Sequence, residues 1–294
     1  MNAPLPIRLR VFFPFAAGYF LSYLYRTINA VIASDLTADL GVGPSSLGLL
    51  TGIYFIAFAS FQLPLGALLD RCDARKVETL LLFFAGVGAF LFGTARSFTG
   101  LLLGRALIGL GVSACLMAAF KAHTTWFSPN VWPMMNGFQL ASGSLGAIFA
   151  TVPVETAAQT IGWRGLFLVL ATLTFLAAAA IFWGVPQSPS PRSTPEPGKG
   201  KHGCKHIFTS ATFWRVAPLT TFSQAAFLSI QGLWAGPWLR DVGNLERADV
   251  ANVLFWVAIA MASGFMTLGS VGSRLSRRGI TTKREKRTDG RITR

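Results

Sequence analysis

The 294-residue chain is 52% hydrophobic and 13% charged, with 26 lysines and arginines against 12 aspartates and glutamates. Soluble domains carry about a quarter charged residues, so this composition argues against a water-soluble enzyme or binding module. The formal charge of +14 does not indicate nucleic acid, because the basic residues sit in short loops and a tail, not on a face interleaved with exposed aromatics.

Apolar runs of about 20 residues can cross a bilayer core. Eight occur in chain order, at Val11–Ile32, Leu47–Leu69, Val77–Ala95, Leu101–Lys121, Met134–Val154, Gly165–Val185, Val216–Leu239 and Val250–Gly272. Each is too long for a barrel strand and lacks strict alternation, so an all-α membrane protein is expected. Pro64, Pro153 and Pro218 fall inside or near spans, where bundle neighbours tolerate them. The first span follows Arg8 and Arg10, is too long for a signal-peptide core, and reads as retained.

Spans six and seven are separated by a stretch rich in proline, serine and glycine that begins at Pro186 and reads as a flexible linker. The expected organisation is a six-helix bundle over residues 1–185, a linker over 186–211, the start of a second bundle over 212–279 and a basic polar tail over 280–294. Lysines and arginines in the connections set the orientation. Twenty lie on the side of the termini, whereas Arg96, Arg164, Arg240 and Arg247 lie on the other, so both termini are expected in the cytoplasm.

Cys72, Cys115 and Cys204 are isolated, and His202-x-Cys204-x-His206 reads as a solvated loop, since no fourth ligand is nearby. No metal, cofactor or disulfide framework is expected. No nucleophile–base pair lies on any span, so an enzyme is not expected either.

The loop after span two reads Gly66-x-x-x-Asp70-Arg71-x-x-x-Arg75-Lys76, and 203 residues later Gly269-x-x-x-Ser273-Arg274-x-x-x-Arg278-Gly279 repeats its glycine and arginines in register. A short basic loop repeated between apolar stretches marks a duplicated bundle, the construction of many secondary transporters. Span four contains Gly104-Arg105-x-x-x-Gly109-x-Gly111, and Gly162-Trp163-Arg164-x-x-Phe167 precedes span six. Together these segments resemble the signature loop, the helix 4 motif and the helix 6 start of the major facilitator superfamily. The resemblance covers about residues 11–279 and implies two six-helix bundles rocking around a midplane site, lined by helices 1, 4, 7 and 10.

Gly66, Asp70, Arg71, Arg75 and Lys76 are expected to form a conformational latch, an acid beside cations held between moving helices. Positive-inside anchoring alone accounts for the cations but not for Asp70 or Gly66. In the second copy Ser273 replaces the aspartate and Gly279 the lysine, so the first copy is expected to carry the latch. Within the helix 4 motif, Arg105, Gly109 and Gly111 are expected to tie helices together or support coupling.

Ionisable residues inside spans are costly and point to function. Ser22, Arg26 and Asn29 form one polar stripe on helix 1, with Tyr19 and Tyr23 alongside. A guanidinium offers a planar fork of donors that suits carboxylate or phosphate. Tyr25-Arg26-Thr-Ile-Asn29 also resembles the helix 1 segment of organic-anion members of the superfamily, in which the arginine binds the anionic group. Against this stands snorkelling of Arg26 to the outer interface, since it lies in the outer half of its span. Lys121 reads as a second substrate cation or as a snorkelling end residue. On helix 7, Gln224, Phe227, Gln231, Trp234 and Trp238 share a face that reads as pore-lining, its tryptophans also as interface-belt aromatics.

No aspartate or glutamate is expected well inside a span, with Asp35, Asp70 and Glu155 all at ends, so proton coupling has no visible carboxylate. Span five reads Gly143-Ser-Leu-Gly146-Ala and lacks the Gly-Pro pair of the family's antiporter motif, which favours symport or facilitated uptake. After Gly279 the chain turns polar and basic where a ninth helix is expected, so a shortened chain or a lipid-binding tail is indicated. The expected function is alternating-access transport of a small, anionic organic solute across a bacterial-type inner membrane, with the bilayer and a coupling ion as partners. The alternative is a truncated, transport-inactive remnant of such a transporter.

Overall fold

The computed structural model describes residues 5–188, 208–230, 235, 238–239 and 242–277. Most of the expected linker, the expected tail, Gln231 and Trp234 lie outside the described residues. The labelled elements are α1 (Leu5–Leu40), α2 (Pro44–Ser60), α3 (Gln62–Arg71), α4 (Ala74–Thr94), α5 (Phe98–Gly111) and α6 (Cys115–Trp126). They continue with α7 (Trp132–Phe149), α8 (Val152–Ala179), α9 (Ala211–Ser229) and α10 (Arg247–Arg277). Among the described residues, five helical stretches are long and apolar enough to cross a membrane, at Ser45–Arg71, Ala74–Thr94, Phe98–Trp126, Val152–Gly184 and Phe255–Leu275. The other three expected spans fall on α1, on α7 and on α9.

Three of the expected spans are interrupted, each for a local reason. Span two breaks at Phe61, three residues before Pro64, whose ring cannot donate to Ser60 and crowds the preceding turn. Span four breaks over 112–114, beside Gly109, Gly111 and Ser113, the small residues that allow a sharp helix kink. Span five runs through a break at Ala150–Thr151, next to Pro153, and continues to Ile161. The chain then reverses at Gly162, whose φ of 71° favours glycine. Turn chemistry sets the other ends. Asp73 caps α4 by accepting from the Arg75 amide at 3.0 Å, and Ser97 caps α5 by accepting from Gly100 at 3.3 Å.

The chain divides into two units, residues 1–187 with 262–294, and residues 188–261. In the first unit α4 packs on α5 and α8, α1 on α7, and α2 on α5. Lipid tails are as apolar as leucine, so close backbone approach and side-chain packing hold such helices together. Phe92 and Phe167 stack with centroids 4.2 Å apart in the buried seam of α4 and α8. Large apolar side chains such as Phe83, Phe90, Leu103 and Leu176 stay exposed, as lipid-facing residues do. The second unit holds α9 and the part of α10 up to Met261.

Candidate substrate site and helix ties

The two ends of the first bundle are tied by motif residues. At one end Arg164 pairs with Asp39 at 2.9 Å, donates to the Ala95 carbonyl at 2.7 Å and stacks over Trp163, whose indole donates to Asp39. The Gly162-Trp163-Arg164 segment thereby joins the ends of α1, α4 and α8. At the other end Arg75 donates to the Val185 carbonyl at 2.9 Å and lies over the Phe182 ring. That arginine is committed to its own bundle, whereas Asp70, Arg71, Lys76 and Gly66 are exposed. Among the described residues Asp70 makes no ion pair with the cations of its loop.

The second copy of the loop is also engaged. Ser273, at the register of Asp70, accepts a hydrogen bond from the Met134 amide at 3.0 Å, in the first turn of α7. Gly137 and Gly269 meet beside it, where a side chain on either would strike backbone of the other helix. The serine that departs from the signature acidic residue therefore caps a helix of the first bundle.

Between these ends lies the stripe of α1. The helix continues to Leu40, so Arg26 is 13 residues short of Asp39, about 20 Å along the axis, and 16 residues beyond Arg10, about 24 Å. The guanidinium packs against the rings of Tyr23 and Phe58. It lies 4.6 Å from the Tyr23 ring centroid and 5.4 Å from that of Phe58, and its Nε is buried with no hydrogen-bond partner. Among the described residues no carboxylate pairs with it. Ser22 is buried and its carbonyl accepts from the Tyr54 hydroxyl at 3.5 Å, while Asn29 donates to Thr51 at 3.4 Å. Tyr19 packs edge-on to Tyr23. Lys121 is exposed on α6, five residues from that helix's end. Gln224 is exposed on α9, in the second unit.

Arg105 is wholly buried and donates to the Tyr25 carbonyl at 3.0 Å, tying α5 to α1. Tyr54 lies between Arg105 and Arg26, its ring 5.1 Å from the Arg105 guanidinium carbon. Gly109 permits this, because an added Cβ would collide with the Tyr54 carbonyl, and Gly111 meets α4 backbone in the same way.

Several buried polar groups escaped the sequence reading. Tyr54 gave no signal, because one tyrosine in an apolar run marks nothing by itself. His123 bonds through Nδ1 to Asn136 at 2.9 Å, and Gln139 donates to the Phe15 carbonyl at 3.0 Å. Glu78 was likewise not singled out from the sequence. The expected span began at Val77, but α4 begins at Ala74, so Glu78 lies one turn inside and is completely buried.

The Major Facilitator Superfamily profile matches residues 15–288. The chain belongs to that superfamily. Membership places it among multi-pass membrane transporters rather than enzymes. It is 23% identical over 289 residues to the hexuronate transporter of Bacillus subtilis, covering 94% of this chain and 67% of that protein. It is 24% identical over 268 residues to the probable sulfoacetate transporter SauU of Cupriavidus necator, covering 86% of this chain and 62% of that one. The match therefore spans about two thirds of these relatives. The fold is similar to the inward-facing, occupied structure of a bacterial homologue of the human lysosomal transporter Spinster. That similarity has a TM-score of 0.60 at 19% identity and covers 94% of this chain and 60% of the other.

Proposed function

We propose that this superfamily member is a secondary transporter that moves a small organic anion across the membrane by alternating access, with Arg26 gripping the anionic group. The observation that carries this is the Arg26 guanidinium itself, inside an apolar run, against two aromatic rings and without a carboxylate partner among the described residues. A charge so placed is costly unless a partner arrives. Ser22, Tyr23 and Asn29 flank it on the same helix, Lys121 offers a further cation, and Gln224 and Gln231 are the helix 7 contributors. The named cargoes of the two relatives, a hexuronate and sulfoacetate, are both anionic organic acids.

The test is binding of glucuronate and sulfoacetate to the purified chain by calorimetry, with neutral galactose as control. Losing a bidentate charge-assisted contact in a desolvated site costs about 3 kcal/mol, so Arg26→Ala should weaken binding roughly 150-fold. Arg26→Lys keeps the charge without the fork and should cost about tenfold. Equal affinity in wild type and Arg26→Ala would sink the reading. Because the matched region covers 62% of SauU, a second reading is a chain that binds the anion but does not translocate it. Counterflow in proteoliposomes separates the two.

We also propose a bacterial-type inner-membrane location with both termini cytoplasmic and a six-helix bundle over 1–185 followed by a cytoplasmic linker, supported by the twenty-to-four basic asymmetry. Cysteine labelling that places residues 186–211 on the outside would overturn this topology.

A further inference from the structure

Glu78 has no part in the site described above. It lies on α4, four residues or about 6 Å past the helix start at Ala74. Its side chain is fully enclosed, and among the described residues no cation pairs with its carboxyl. The face that encloses it belongs to α1. Gly18 stands opposite, and a Cβ there would be 2.8 Å from Oε1, so the missing side chain is what makes room for the carboxyl. From α6 comes the Cys115 thiol, placed by the break in span four.

The other charged groups on the packed helices are engaged with other partners or exposed, Lys121 of α6 among the exposed. Arg75 on the same helix is bonded to Val185, Lys76 is exposed, and Arg105 of α5 holds the Tyr25 carbonyl. On α8, Arg164 pairs with Asp39 at the far end of the bundle, where Glu155 lines a cleft with Asp35. An ionised carboxylate enclosed without a partner is strongly disfavoured, so this group must give up its charge whenever the helices close on it.

The same α1 stripe links Glu78 to the anion site. Gly18, Ser22 and Arg26 follow at intervals of four residues, so the position that faces the carboxyl lies about 12 Å of helix rise, roughly two turns, before Arg26 on α1. Cys115 interacts electrostatically with both Glu78 and Arg26.

We propose that Glu78 is a proton-binding site coupled to Arg26, so that an anion and a proton are carried together. This rests on the anion reading of Arg26. The proton is taken from water on one side while the carboxyl is open. It is held as the neutral acid while α1, α4 and α6 enclose the group, and it is returned to water on the other side when that contact opens. An anion on Arg26 cancels the positive charge that otherwise favours the carboxylate, so anion binding draws the proton in.

The test is infrared absorption of the purified chain in lipid nanodiscs, following the C=O stretch of the protonated carboxyl as pH is raised. We expect a band that disappears with rising pH, is absent in Glu78→Gln, and persists at a changed frequency in Glu78→Asp should the glutamine variant fail to fold. Glucuronate should move the disappearance to higher pH, by roughly one pH unit for charges about 12 Å apart at an effective dielectric of about 20. Arg26→Ala should produce a similar displacement without the anion and abolish the glucuronate effect. A spectrum with no Glu78-dependent titrating band overturns the proposal. So does a band that titrates identically in wild type and Arg26→Ala. If glucuronate fails to bind, the anion reading falls, and the Arg26→Ala comparison still decides the proton site.

Discussion

Gly109 is where α5 comes closest to α2, and its replacement by alanine tests whether that contact seats Tyr54. The added methyl would collide with the Tyr54 carbonyl oxygen and lie 3.0 Å from the carbonyl carbon and from Cα. All three are backbone atoms of a neighbouring helix, so rotating a side chain cannot relieve the clash and one helix must move. Overpacking of this kind costs about 1–3 kcal/mol. Replacing glycine by alanine inside a helix returns about 1 kcal/mol. The clash wins, and a net loss of about 1 kcal/mol is expected for Gly109→Ala. Gly52 on α2 has nothing within 4 Å of an added methyl, so Gly52→Ala keeps only the propensity gain. Thermal unfolding can be followed with a thiol-reactive fluorophore, because Cys115 is buried and becomes reactive on unfolding. Cys72 is exposed, so Cys72→Ser and Cys204→Ser form the background. The midpoint should fall for Gly109→Ala and hold or rise for Gly52→Ala, and glucuronate affinity should fall in the first variant only, as Tyr54 shifts beside Arg26. Midpoints that move together in both variants would refute the close-approach argument.

Ser273→Ala removes the side-chain acceptor for the Met134 amide and should cost about 1 kcal/mol, read as a lower unfolding midpoint. An unchanged midpoint would mean that water or the chain itself caps α7 equally well. Asp70→Asn should leave the midpoint unchanged, since Asp70 is exposed, but should alter thiol accessibility of cysteines placed near Arg26 if the signature loop acts as a latch. Unaltered accessibility would reduce the loop to a positive anchor.

The spans, the signature loop, the helix 4 motif and the Gly162-Trp163-Arg164 turn were legible because apolarity, charge and turn chemistry are local properties of the chain. A run of about 20 apolar residues needs a bilayer whatever packs against it, and an arginine within such a run is conspicuous from composition alone. Arg26 could therefore be found, but not its surroundings, because Tyr54 and Phe58 come from α2. Glu78 already fell within the expected span Val77–Ala95, but only the facing Gly18 of a helix sixty residues earlier shows that its carboxyl is enclosed. Tyr54 between two arginines, Ser273 on the start of α7 and the break over 112–114 likewise depend on which faces of distant helices meet. The sequence by itself indicated which segments seek the membrane and which motifs punctuate them. Only the tertiary structure decided which buried polar groups share a neighbourhood, because helix rotation and crossing come from ridge-and-groove packing and small-residue contacts between segments far apart in the chain.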